Sequence, residues 1–233
     1  MVDWFKLIAA ATHLDPAAVR DLQVEGFAVI PGPVPESLLS DLASVYDRAV
    51  LLADASDVGR GSTTTRVNDV VNWGAAFDAL YLHAPLLEAC CRVIEQPFKL
   101  SSMLARTLNP RTPSQNLHVD FPRDEQGCPM LGFIFMVDEF RAENGATRFL
   151  PRSQGATECP TASGVVPACG PAGSMILYNG SVWHGHGANP TDRPRRSIQG
   201  AYIRRTLESS GTLRTNAETL DRIAPLAQYL LAW

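Results

Sequence analysis

The sequence carries no surplus of positive charge, no long apolar run and no pairing pattern among its cysteines. Across 233 residues, 20 Lys and Arg face 24 Asp and Glu, giving a formal charge of −4 and a pI near 5.7. A nucleic-acid binder presents a basic face, so no nucleic-acid partner is expected. No stretch reaches the roughly 18 consecutive apolar residues that a spanning helix requires, so no membrane association is expected. The five cysteines (Cys90, Cys91, Cys128, Cys159, Cys169) are odd in number, two are adjacent, and none form a Cys-x-x-Cys pair. That pattern argues against a disulfide framework and against thiolate-ligated zinc, and it suits a reducing cytoplasm. The opening MVDWFKLIAAATHLD lacks the basic start and long apolar core of a signal peptide, so a cytoplasmic protein is expected.

What is present is an ordinary globular composition, 45% hydrophobic and 19% charged. Asp15-Pro16 reads as a cap and first turn of a helix that stops near Gly26. Phe27 to Ile30 is a short β-type run, followed by Pro31, Pro33 and Pro35. Leu38, Leu39, Leu42, Val45, Tyr46 and Ala49 then recur at helical spacing, predicting a core-facing helix. The polar, Gly/Thr-rich segment 56–68 reads as a loop, and 84–95 as a second helix. From Phe98 the texture changes to short β-type runs at 98–108, 131–137, 146–150, 173–178 and 197–204. Helices followed by a series of strands predict an α+β chain with a barrel or sandwich core. Thr219 to Trp233 has helical periodicity interrupted by Pro225. There are no repeats or linkers, so one domain over 1–233 is expected: helices over about 15–95, a barrel core over about 98–205 and a C-terminal helix over about 217–233. Leu230, Leu231 and Trp233 of that last helix would offer a face to a second subunit, giving a homodimer.

Only five histidines occur: His13, His83, His118, His184 and His186. His13 and His83 read as solvent-facing. His118-Val119-Asp120 is different. If extended, it points an imidazole and a carboxylate to one side and makes half of a metal site. Such a triplet alone arises by chance. A third ligand would come from His184 or His186, in Trp183-His184-Gly185-His186-Gly187-Ala188-Asn189. Two histidines and one carboxylate on one face of an octahedral ion leave three positions open, which suits non-haem Fe(II) binding a bidentate co-substrate and dioxygen. Arg195 follows His184 by eleven residues. Carried into a barrel on a strand, its planar guanidinium would need an anion, and the far carboxylate of 2-oxoglutarate is one. Arg193 reads as part of a solvated basic turn.

Four segments together resemble the phytanoyl-CoA dioxygenase family of Fe(II)/2-oxoglutarate oxygenases. They are Glu25-Gly26-Phe27-Ala28-Val29-Ile30, Leu117-His118-Val119-Asp120, Glu143 to Pro151, and Trp183 to Arg195, spread over about residues 25–204. The resemblance implies a double-stranded β-helix, a jelly-roll or cupin-like barrel with flanking helices. It implies His118, Asp120 and His184 as iron ligands and catalytic centre, Arg195 as the anchor of 2-oxoglutarate, and Fe(II), 2-oxoglutarate and O2 as cofactors. The implied reaction is hydroxylation of an unactivated carbon of a small molecule, with release of succinate and CO2. Asp120 supports hydroxylation, since halogenating relatives have a small residue there. Two departures from the family pattern are His186, where small residues are usual, and Arg152 with Gln154 in place of the Gly and His of a Pro-Gly-Ser-His turn.

His186, Asn116 and Thr107 are assigned to the co-substrate beside Arg195, and Gln115 is a further candidate there. Arg106 and Arg66 are assigned to the substrate: Arg106 if it points inward from the strand over 98–108, Arg66 if the 56–68 segment closes over the site. Two other readings use the same barrel: a non-redox metal-dependent enzyme, which would not need Arg195, and a non-catalytic metabolite-binding barrel.

Overall fold

A computed structural model describes residues 2–161, 163–208 and 213–232. Helix α1 (Trp4–Ala9) precedes α2 (Pro16–Val24), whose cap is Asp15, accepting the Ala17 amide at 2.7 Å, with Pro16 in the first turn. Strand β1 (Phe27–Pro31) leads into α3 (Leu39–Leu52). Only Leu42 and Tyr46 of α3 are buried, while Leu38 and Val45 are 51% and 39% exposed, so its inward stripe is narrower than its periodicity predicts.

The segment expected as a loop forms a hairpin instead, β2 (Val58–Arg60) and β3 (Thr64–Val67). Thr64 and Val67 are buried, and β3 pairs with the distal end of β4 (Phe98–Leu108), in register Thr64↔Leu108 through Val67↔Ala105. The β-branched Thr-Thr-x-Val run satisfies a strand edge that would otherwise lie open. Helices α4 (Ala75–Tyr81) and α5 (Ala84–Ile94) follow the hairpin. His83 is half-buried at the start of α5, with Nε2 3.2 Å from the Pro31 carbonyl oxygen, and so is not solvent-facing as expected; His13 is exposed.

The remaining strands are β5 (Met130–Met136), β6 (Thr147–Phe149), β7 (Val166–Pro167), β8 (Ser174–Asn179), β9 (His184–His186) and β10 (Arg195–Arg204). They build a seven-stranded antiparallel sheet, β1-β8-β5-β10-β4-β3-β2, and a three-stranded sheet, β7-β6-β9. The sequence MLGFIFM of β5 is buried throughout because both of its faces are covered. Leu131, Phe133 and Phe135 pack in the cluster that includes Leu86 and Ala89 of α5. Ile134 and Met136 point the other way and join Phe149, Ile176 and Tyr178 between the sheets. The result is a double-stranded β-helix with helices flanking its major sheet, and the residues of interest lie in the space between the two sheets.

The C-terminal region divides into α6 (Ala217–Arg222) and α7 (Pro225–Leu230), because Pro225 starts a new helix rather than continuing the old one. Leu230 and Leu231 are buried in this chain's own core, which removes them as a face for a second subunit. Trp233 lies outside the described residues. Arginines on and after β10 find local partners: Arg196 pairs with Asp138 and Asp47, Arg204 with Asp124, and Arg205 lies over the Tyr229 ring. Arg193 is exposed, as expected of a basic turn. Arg152 and Gln154 tie their turn to the end of α2, through Glu25 and through the carbonyls of Gln23 and Val24. All five cysteines are unpaired. Among the described residues, no helix is long and apolar enough to cross a membrane.

Candidate metal centre

His118 is not on a long strand. It forms an isolated antiparallel bridge with His184, each amide donating to the other's carbonyl at 2.9 Å. Those two bonds hold the segment carrying His118 against β9. The approach requires a glycine between the two histidines of β9: a Cβ on Gly185 would lie 2.9 Å from the Asn116 carbonyl oxygen. The His118 and His184 rings lie 4.6 Å apart between centroids. Asp120 reaches both, with Oδ1 3.5 Å from His118 Nε2 and Oδ2 3.5 Å from His184 Nε2. The three candidate ligand atoms fall within 4.8 Å of one another, and among the described residues this is the group that could hold an ion.

The surroundings select one face of each ring. His118 Nδ1 lies 3.3 Å from the Asn116 carbonyl, and His184 Nδ1 3.0 Å from the Val182 carbonyl. A carbonyl only accepts, so each ring carries its proton on Nδ1 and presents the lone pair of Nε2 inward. Burial pushes the His184 pKa down, whereas the hydrogen bond to Asp120 pushes that of His118 up. Burial alone would raise the Asp120 carboxyl. The His118 hydrogen bond, the His184 charge and the Tyr178 hydroxyl outweigh it and hold the carboxyl at about 2. Tyr178 donates to Asp120 Oδ2 at 2.6 Å. A charged carboxylate and two neutral imidazoles are the form that binds a divalent metal.

Behind this group is a small inner cavity of about 60 Å³, lined by Thr147, Tyr178, His186, Arg195 and Gln199 among others. Arg195 is 2% exposed, and its Cζ lies 3.8 Å above the Phe140 ring. Its Nε and Nη1 are buried without a hydrogen-bond partner among the described residues. Burial first, and then the charge of Arg106, push its pKa down to about 9. An unpaired buried guanidinium is costly unless an anion completes it.

His186 is one strand period from His184 and shares its face. It is outside the ligand group and instead lines the inner cavity, with Nδ1 2.9 Å from the Gly187 carbonyl oxygen. Arg106 points inward and lines both the inner cavity and an outer one of about 390 Å³, which Arg66 also borders. Thr107, next in an extended strand, faces the opposite way and bonds the Tyr46 hydroxyl at 2.9 Å, so it is not placed at the co-substrate position. Asn116 contributes its carbonyl to the His118 ring, and it is Gln115 that lines the cavities. Tyr178, Thr147 and Gln199 were not singled out by sequence. Gln199 was reachable, since it follows Arg195 by two strand periods on the same face of β10. Tyr178 carried only a general signal, that a buried tyrosine hydroxyl must find a partner.

The sequence profile described as phytanoyl-CoA dioxygenase (PhyH) matches residues 22–197. Dioxygenase trt7 of Aspergillus terreus is 32% identical over 148 residues, covering 58% of this chain and 51% of that protein. Multifunctional dioxygenase prhA of Penicillium brasilianum is 28% identical over 218 residues, covering 79% and 71%. The chain spans about half the length of trt7 and of dioxygenase cdmA of Talaromyces verruculosus, 51% and 53%. Among solved structures, HygX of Streptomyces hygroscopicus, with nickel and 2-oxoglutarate bound, superposes with a TM-score of 0.70 at 17% identity, covering 85% of this chain and 90% of that one. At that identity the likeness is one of fold.

Proposed function

Because the chain belongs to the phytanoyl-CoA dioxygenase family, we propose that it is a non-haem Fe(II)/2-oxoglutarate-dependent dioxygenase that hydroxylates an unactivated carbon of a small molecule, releasing succinate and CO2. The observation that carries this reading is Arg195, buried with two donor nitrogens unpaired beside the His118–Asp120–His184 group. A non-redox metal enzyme on the same barrel would not need such a residue. A dicarboxylate that reaches from the metal to Arg195 does.

The residues fit both groups. Nε2 of His118, Nε2 of His184 and a carboxylate oxygen of Asp120 would hold the iron through three protein ligands, leaving the remaining positions open. When bound, the iron and its keto-acid co-substrate supply the dioxygen-dependent oxidation; the protein supplies placement. Arg195 would anchor the distal carboxylate by a charge-assisted contact. His186 and Thr147 border the space between them and orient the co-substrate. Tyr178 fixes the orientation of Asp120 and keeps it charged, and the carbonyls of Asn116 and Val182 fix the tautomers of His118 and His184. Substrate enters through the outer cavity, on the open side of the His118–Asp120 pair. The free thiols fit the reducing cytoplasm, where we place the enzyme, acting as one oxygenase domain.

Anaerobic titration of metal-free protein with Fe(II) and then 2-oxoglutarate tests the reading. Bidentate chelation at an open site produces a visible metal-to-ligand charge-transfer band. An iron-loaded protein that never develops this band refutes the proposal.

A further inference from the structure

Arg66 on β3 and Arg106 on β4 are directly opposed cross-strand partners, so their side chains leave the sheet on the same face. Both border the outer cavity. Like charges in that position destabilise a sheet pair unless something of opposite charge lies between them. Burial, and then Arg66 itself, push the Arg106 pKa down to about 10. Among the described residues, the exposed Arg66 side chain makes no hydrogen bond or ion pair. Arg106 donates only to neutral acceptors, Gln199 Oε1 at 3.3 Å and Gln115 Oε1 at 3.5 Å. These amides aim the guanidinium without cancelling its charge. Asp120 is the sole carboxylate lining either cavity among the described residues, and it belongs to the metal group.

Formal charges then decide what is missing. On the reading above, a divalent iron, Asp120, the two carboxylates of the co-substrate and Arg195 sum to neutrality. Arg106 is left without an anionic partner, with the solvent-exposed Arg66 beside it, in a cavity whose other walls include Leu104, Phe121, Met130 and Ile203 as well as Ser101 and Ser102. We propose that the substrate is an amphiphilic acid, with its carboxylate on Arg106, under the field of Arg66, and its apolar body along those walls. Arg106 lines both cavities and Arg195 only the inner one, so an acid held by Arg106 approaches from the outer side. A neutral substrate would leave the Arg106 charge without an anionic partner on each turnover.

The proposal rests on the oxygenase reading, and the test separates the two. Full-length protein is loaded with redox-silent Ni(II) and 2-oxoglutarate. Calorimetry then compares arylalkyl and medium-chain carboxylic acids with their primary amides. The expected result is that at least one acid binds about tenfold or more tightly than its amide. R106Q should erase that preference and R106K retain part of it, while 2-oxoglutarate affinity stays within about threefold of wild type in both. The proposal is overturned if no acid in the panel is preferred over its amide, or if R106Q weakens 2-oxoglutarate rather than the acid. Loss of 2-oxoglutarate binding by the wild-type protein would instead mark failure of the underlying reading.

Discussion

At the scale of single residues, the centre is organised by what surrounds the ligands. Tyr178 donates a 2.6 Å bond to the Asp120 oxygen that faces His184. Removing it in Y178F leaves the carboxylate free to rotate and less strongly held in its charged form. Supporting groups of this kind are worth about 10- to 100-fold in metal affinity, and competition titration with a chelating dye should show a loss in that range. R195A should behave differently: metal binding is unchanged, and 2-oxoglutarate affinity falls by about tenfold or more. Calorimetry with Ni(II)-loaded protein distinguishes the two variants. An R195A protein with unchanged 2-oxoglutarate affinity would remove Arg195 from its role.

At the scale of elements, the site depends on a close crossing of two segments. The crossing is possible because Gly185 has no Cβ to meet the Asn116 carbonyl. G185A should force the His118 segment away from β9, costing about 1–3 kcal/mol in urea unfolding, typical of overpacking, and lowering metal affinity with it. The turn at Arg152 offers the opposite case. Arg152 holds a left-handed backbone (φ 64°), and it pairs with Glu25 while itself 71% exposed. The strain is worth about 1 kcal/mol, and a solvent-exposed pair adds little against it, so R152G should unfold in urea close to wild type. R152A, which keeps the strain and loses the pair, should be the less stable of the two.

Element patterns also explain what the sequence disclosed. Long alternating or continuous apolar runs, such as 98–108 and MLGFIFM, were legible because each satisfies one strand period or one fully buried strand. The β2–β3 hairpin was not, since Thr-rich polar strands on a sheet edge resemble loops until their partner is known. His118 and Asp120 were legible as a pair, though the segment is a single bridge rather than a strand. Arg106 and Thr107 could not both face the pocket from one extended strand; period two allows only one of them, and the structure chooses Arg106. Tyr178 was hidden because its partner is 58 residues away in sequence.

At the scale of the whole molecule, the ligands tie the two sheets together. Asp120 and His118 approach from the segment after β4, His184 comes from the minor sheet, and Arg195 from the major one. Ligands that bind only the folded state add RT ln(1 + [L]/Kd) to stability, about 2.7 kcal/mol at a hundredfold excess over Kd. Differential scanning should therefore show Tm rising by several degrees with Ni(II), and again with 2-oxoglutarate. EDTA should reverse both increments. R195A should retain the first and lose the second. A single increment in the wild type would mean that metal and co-substrate do not share one site.

The reciprocal pair of amide bonds between His118 and His184 has a kinetic corollary. The backbone bonds themselves hold the two imidazoles at their spacing. Capture of a divalent ion then involves no ordering of the chain. Its rate should follow how quickly each aquated ion sheds water, with Fe(II) loading faster than Ni(II) even where Ni(II) is held more tightly. Stopped-flow loading would record that ordering.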